Sequence, residues 1–256
     1  IPYQTQIVPL AAILARLGDR WEQQGVRMRL AQWFWCGVFG EQYGSSVESR
    51  FAKDLVEVPD WIDGGPDPST VQEASFHPDR LRNLRSRLSA AYKGLNALIK
   101  LEGGYDLRSG QPIEYTNFWE ENVDIHHIFP KAWCETQKIP RHVYDSIINK
   151  TPVSARTNRI IGGRAPSIYL TALQEEAGIS SERMDDLLRS HAIDPAALRA
   201  DDFEAFMAAR TEALLRLIET AMGKSIPRDQ PASEGEDLGE SIEDTLESLE
   251  TEAPPL

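Results

Sequence analysis

Helical spacing on both sides of one short stretch that lacks it is what most constrains how this chain can fold. Ile7, Leu10, Ala11, Leu14 and Leu17 recur at threes and fours until Gly18-Asp19 breaks the pattern. A second helix is expected from Arg20 to about Phe39, and its apolar residues on all sides near Trp33 imply burial in a core. A third, from Ser46 to Val56, should end before Pro59, with residues 59–70 as a loop rich in Pro and Gly. Pro78 to Leu101 reads as one long helix, with Leu81, Leu84, Leu88, Ala91, Leu95 and Leu98 on a single stripe. After Gly162-Gly163 the helical spacing returns over Pro166 to Ala177, Ser181 to His191 and Asp202 to about Met222.

Between these blocks the texture changes. Gly103-Gly104 stops the preceding helix, and Ser109-Gly110 is placed for a hairpin turn within Tyr105 to Val123. A strand is expected from Val123 to Ile128. Pro140 suits the first turn of a short helix running through Ile147, and Pro152 keeps Lys150 to Ser154 extended. The fold class expected is therefore mainly α (α+β), a multi-helix bundle enclosing a small ββα unit. The domains expected are a helical domain over 1–102, the ββα-containing domain over 103–178, and C-terminal helices over 179–226 that pack on the helical domain. An acidic tail over 227–256 is expected to be disordered.

The net charge of −13 argues against contact with nucleic acid until its distribution is considered. Ten acidic residues lie in 229–256, which has no Lys or Arg, so the tail accounts for most of the excess. From Asp124 to Arg164 seven basic residues face three acidic ones, a local +4. Cys36 and Cys134 stand alone rather than in CxxC pairs, so neither a disulfide framework nor a zinc knuckle is indicated, and a reducing cytoplasm fits. No run of about 18 apolar residues is present to span a membrane. The chain opens at Ile1 without an initiator Met or a secretory leader, so it reads as a fragment of a longer cytoplasmic protein.

The chemistry concentrates in Asp124-Ile125-His126-His127-Ile128-Phe129-Pro130, followed by Asn149 and then by Asn158-Arg159. Hydrolysing a phosphodiester takes a nucleophilic water, a group to accept its proton, and positive charge near the phosphoryl and leaving oxygens. Imidazole suits the proton, and a divalent cation with few protein ligands suits the charge. His126, His127 and Asn158 supply the residue types for both. Neighbours on an ideal strand point to opposite faces, so the two histidines serve one site only if the chain twists or bends there. Asp124 shares an ideal face with His126. His77, His142 and His191 read as structural, and Trp33, Phe34 and Trp35 as core.

These residues resemble the HNH (ββα-metal) nuclease motif in its His-Asn-Asn form. A longer stretch, from the opening Pro2-Tyr3-Gln4-Thr5-Gln6 to Leu170, is similar to the C-terminal half of GmrSD-like restriction proteins, whose other half is a ParB-like NTPase. The resemblance implies a metal-dependent DNA endonuclease with an antiphage or restriction role. It implies His127 as general base, Asn149 as the residue that holds the loop and orients that base, and His126 and Asn158 as metal ligands. Asp124 is the candidate third ligand, and Arg159, Arg164 and Lys150 are the candidates for gripping phosphate. An amide where many such enzymes have a histidine favours one Mg²⁺ or Mn²⁺ per site over Zn²⁺. The partners implied are DNA, modified or from phage, and the N-terminal NTPase-like half of the same protein, with a homo-oligomer allowed. RNA is left open as substrate. The alternative is a degenerate HNH unit that binds DNA or docks a partner without cleavage.

Overall fold

The computed structural model describes residues 1–44, 47–113 and 124–228, apart from the side chain of Asp124. Helix dominates, and the sheet found among the described residues has two antiparallel strands. The chain divides into two compact units. One comprises Ile1–Asp79, Ser86–Gly94 and the chain from Ile218 onward, and the other Arg80–Arg85 with Leu95–Leu217.

The first unit holds α1 (Ile7–Leu17), α2 (Gln24–Phe39), α3 (Val47–Ile62) and α4 (Ser69–Glu73). α1 ends where Gly18 takes φ +53°, as its spacing predicts. Two helices depart from expectation. A short 3-10 turn over Gly18–Glu22 precedes α2. α3 runs through Pro59 to Ile62 instead of stopping before it. A helical proline removes the N–H that would bond the carbonyl four residues earlier. Here that carbonyl belongs to Leu55, and Arg16 of α1 donates to it from 3.0 Å. Trp33, Val58, Trp61, Val71 and Phe76 are buried in this unit. Lys224 closes it by donating its ammonium to the carbonyls of Val71, Gln72 and Ala74.

The long helix expected over Pro78–Leu101 is two helices, α5 (Arg80–Asn83) and α6 (Ala90–Leu101). The leucine spacing is continuous across the break, but the Leu84 carbonyl accepts the N–H of Ile147 at 2.8 Å instead of continuing a helical ladder. The turn at Gly110 forms with φ +65° and a Tyr105–Pro112 bridge. Residues 114–123, including the first residue of the expected strand, lie outside the described residues, as do the acidic tail 229–256 and the start of the third helix at Ser46.

The second unit continues with β1 (Asp124–His127), α7 (Lys131–Thr136), α8 (Arg141–Tyr144), β2 (Lys150–Val153), α9 (Ala155–Ile161), α10 (Pro166–Ala177), α11 (Ser181–Ser190), α12 (Pro195–Arg199) and α13 (Phe203–Met222), whose last turn belongs to the first unit. The helices after residue 179 differ from expectation in their packing. Met184, Leu187, Leu188, Leu198, Phe203 and Phe206 share one core with Ile128, Phe129 and Val153, so through residue 217 they belong with the strands. The reason is Phe129. Its ring lies 5.3 Å from that of Phe203 and 5.0 Å from that of Phe206, and aromatic packing at such distances fixes where the strand exit must sit.

Candidate functional site

β1 and β2 pair in the register His126–Thr151 and His127–Lys150, flanked by Asp124–Val153 and Ile125–Pro152. Residues directly opposite share a face and neighbours alternate, so His126 lies with Thr151 and Val153, and His127 with Lys150. The ladder is regular through His127, and the chain bends only afterwards, at Ile128-Phe129. The two imidazoles therefore occupy opposite faces of a narrow two-stranded ribbon.

On one face, Asp145 organises three basic groups. Its carboxylate lies 3.0 Å from Nε2 of His127, 2.8 Å from Nζ of Lys150 and 3.7 Å from Nε of Arg141. Burial alone would raise the pKa of this carboxyl. The hydrogen bonds from His127 and Lys150 and the lysine charge more than offset that, holding it well below the usual carboxylate range. An ionised carboxylate on Nε2 selects the tautomer with hydrogen there and leaves the lone pair on Nδ1. Tyr144 meets the His127 ring edge-on at 5.9 Å between centroids.

Asn149 is buried and clamps the segments carrying His127 and Asp145. Its Oδ1 accepts the Phe129 N–H at 2.8 Å, and its Nδ2 donates to the carbonyls of Phe129 and Tyr144, each at 3.0 Å. Its own carbonyl accepts the Ile128 N–H at 2.8 Å, extending the ladder by one bond. Asn149 thus ties the exit of β1 to the backbone next to Asp145, the residue in contact with His127.

The other face is backed by a buried polar relay. Thr151 Oγ1 lies 2.7 Å from Nδ1 of His191, and Nε2 of His191 lies 2.7 Å from the Tyr105 carbonyl. Only a protonated Nε2 can serve a carbonyl, so Nδ1 accepts from the threonine hydroxyl. Burial pushes the His191 pKa down to about 4 and keeps the ring neutral. Arg210, also buried, donates Nη2 to the Lys150 carbonyl at 3.3 Å. Its Nε and Nη1 have no hydrogen-bond partner among the described residues.

α9 follows β2 directly. Ser154 caps it by accepting from the Thr157 N–H at 3.2 Å, and Asp106 ties the cap to the Gly110 turn. The Asp106 carboxylate accepts from the N–H of Ser154 at 3.0 Å, the Thr157 hydroxyl at 2.8 Å and the N–H of Ser109 at 3.0 Å. Burial opposes its ionisation, yet these bonds hold its pKa below the ordinary value. Asn158 is half-buried on α9, three residues before Ile161 and so beside it on the helix surface. Ile161 borders a cavity of about 10 Å³ that both histidines, His126 and His127, border together with Thr151 and Val153.

Among the phosphate-gripping candidates, Arg159 is exposed. Lys150 is committed to Asp145, and the Arg164 guanidinium, three residues past the end of α9, turns back to the Ile160 carbonyl of that helix. The side chain of Asp124 lies outside the described residues. Among the described residues no group of three or more His, Cys, Asp or Glu is placed to hold a metal, a count to which the amide of Asn158 does not contribute. Cys134 is buried, and burial pushes its thiol up to about 12, so it offers no thiolate beside the histidines.

Asp145 and Asp106 were not singled out by sequence reasoning. Asp145 did carry a signal, as one of three acids in a stretch of seven bases. Asp106 carried a weaker one, three residues before the turn serine whose N–H it accepts.

No family model matches the chain, and no solved structure does. An uncharacterized protein of Methanocaldococcus jannaschii is 30% identical over 177 residues, which is 64% of this chain and 30% of that protein. The chain therefore spans less than a third of the length of this curated relative.

Proposed function

We propose that the β1–β2–α9 unit is a metal-dependent endonuclease site that hydrolyses DNA phosphodiesters. The observation that carries this reading is the His127–Asp145 pair. A carboxylate on Nε2 and a lone pair on Nδ1 are what a general base for water needs. In the step proposed, water attacks phosphorus as Nδ1 of His127 takes its proton. Asp145 stabilises the imidazolium that forms, and Lys150 keeps Asp145 ionised. Asn149 keeps the strand exit and α8 in register, so that the pair does not drift. Arg159, exposed on α9, is the proposed contact for a backbone phosphate.

The amide oxygen of Asn158 suits Mg²⁺ or Mn²⁺, and of the two Mn²⁺ is the better match for the imidazole nitrogen of His126. Asp124 is the candidate third ligand. When bound, such an ion supplies positive charge at the phosphoryl and leaving oxygens. Departure of the 3′ oxygen gives products with a 5′ phosphate.

The wider setting rests on the resemblance to GmrSD-like proteins. It comprises a restriction or antiphage role in the cytoplasm, modified or phage DNA as substrate, a partnering NTPase-like half and self-association. No helix among the described residues is long and apolar enough to cross a membrane.

A second reading, in which the unit binds DNA or a partner without cutting, is favoured by the regular ladder, which keeps His126 and His127 on opposite faces. Supercoiled plasmid with Mg²⁺ or Mn²⁺ separates the two. The nuclease reading expects nicked product that disappears in His127→Ala while circular dichroism is unchanged. Slowed DNA migration with no nicking by the unaltered protein would establish the second reading instead.

A further inference from the structure

Beside α8, and lined wholly by residues of the second unit, lies an open cavity of about 550 Å³. That volume is within the range of about 300–1,000 Å³ typical of sites for small ligands and cofactors. None of its lining residues belongs to the His127–Asp145 network or to the His126 face.

Its walls differ in chemistry. Arg82 and Arg85 both belong to the lining. Arg82 is exposed at the end of α5, and Arg85 is held in place by donating to the His142 carbonyl from 3.4 Å. α13 also lines the cavity, with two adjacent stripes whose residues recur at fours, the second passing through Ala208. Phe203 and Met207 form the inner, apolar stripe, the first buried and the second half-buried. Glu204 and Glu212 form the outer one, and Glu212 also pairs with Arg216 at 3.6 Å.

A ligand that satisfies all three kinds of lining group has an anion for the arginines, a flat apolar body for Phe203 and Met207, and hydrogen-bond donors for the glutamates. Free phosphate would leave the apolar floor bare. A fatty carboxylate would set hydrocarbon against two glutamates, and a duplex would bring closely spaced phosphates against the same glutamates. A nucleotide answers each part: phosphate for the guanidiniums, base for Phe203 and Met207, amino or sugar hydroxyl groups for the carboxylates. We propose that this cavity binds a nucleoside monophosphate unit. The same chemistry arises from a free nucleotide or from a nucleotide displaced from a strand.

Calorimetric titration of the 256-residue chain with each of dAMP, dCMP, dGMP and dTMP tests the assignment, with inorganic phosphate and the parent nucleosides as comparisons. At least one nucleotide is expected to bind more tightly than either of its parts. Arg82→Glu should weaken it by about tenfold or more, the scale of one lost charge-assisted hydrogen bond. Ala208→Trp, at an exposed helical position on the cavity wall, should fill the space and abolish binding. Circular dichroism of both variants confirms that the helices remain. Displacement of the bound nucleotide by a single-stranded oligonucleotide identifies a strand as the source, and its failure identifies the free nucleotide; either supports the cavity. His127→Ala should bind as the unaltered protein does, so the result is independent of whether the histidine ladder cuts DNA. No binding at millimolar nucleotide, affinity unchanged in both cavity variants, or affinity lost in His127→Ala alone overturns the proposal.

Discussion

Asn149 grips Phe129 at both ends of the same residue, accepting its N–H at 2.8 Å and donating to its carbonyl at 3.0 Å. This reciprocal pair replaces two ladder bonds where the chain leaves β1 and turns into the core. Asn149→Ala would remove the partner of the buried Phe129 N–H and the amide donor of the Tyr144 carbonyl, and would leave the Phe129 carbonyl only the weak Cys134 thiol at 3.5 Å. The expected cost is about 2–4 kcal/mol, from the penalty for buried unsatisfied groups. Urea denaturation should show the midpoint falling with an unchanged slope. A loss no larger than that of an exposed alanine substitution would mean that water takes over these bonds.

Asp145→Asn keeps the size of the side chain while removing its charge. The amide can still accept from Nε2 of His127, but it no longer favours a positive imidazole or holds the Lys150 ammonium at 2.8 Å. Under the nuclease reading kcat should fall roughly 10- to 100-fold with KM nearly unchanged, the usual scale for a partner that orients a reacting histidine. His127→Ala should fall further, by roughly 10²–10⁴. Equal activity of Asp145→Asn and the unaltered protein would remove the carboxylate from the mechanism.

Acid should weaken the second unit through His191. Its folded pKa is pushed down to about 4, chiefly by burial, against an ordinary 6.5. Above 6.5 the ring is neutral in both states and its contribution is fully present. Between 6.5 and 4 the unfolded chain takes a proton that the folded one refuses, so stability falls as pH falls and levels off below 4. The whole interval corresponds to about 3 kcal/mol. Asp145 and Asp106, both depressed, lose their contributions only at lower pH. Asp54, raised by burial, works in the opposite direction. Comparing His191→Gln with the unaltered protein cancels all three, and its melting temperature should vary less between pH 7 and pH 4.5.

The elements that could be read from sequence are those whose ends are set locally. α10 begins at Pro166 and stops where Gly178 adopts φ +65°, and both signals lie in adjacent residues. α3 passes Pro59 because a guanidinium from α1 reaches Leu55, and α5 stops because Ile147 takes the Leu84 carbonyl. Neither partner is visible in a local window. The candidate site divides the same way. His126, His127 and Asn149 stand out by type and spacing. Asp145 became interesting only once β2 placed Lys150 across from His127, which is a fact of register. The commitment of Lys150 to that carboxylate likewise follows from the fold, since by composition alone a lysine beside Asn149 looks available to phosphate.

Arg210 offers a prediction of opposite sign. Its guanidinium is buried, and among the described residues its hydrogen bond is to the Lys150 carbonyl at 3.3 Å. Burial drives its pKa down to about 9, the mark of a cation held where water would serve it better. Replacing a buried, poorly paired charge with an apolar side chain of similar length is often neutral or stabilising, by about 1–4 kcal/mol. Arg210→Met should therefore leave the melting temperature unchanged or raise it by several degrees. If the guanidinium is kept for its effect on β2, whose first carbonyl it holds opposite His127, the same variant should lose nicking activity while gaining stability. A marked drop in melting temperature would show that the arginine is better satisfied than its Nε and Nη1 surroundings indicate.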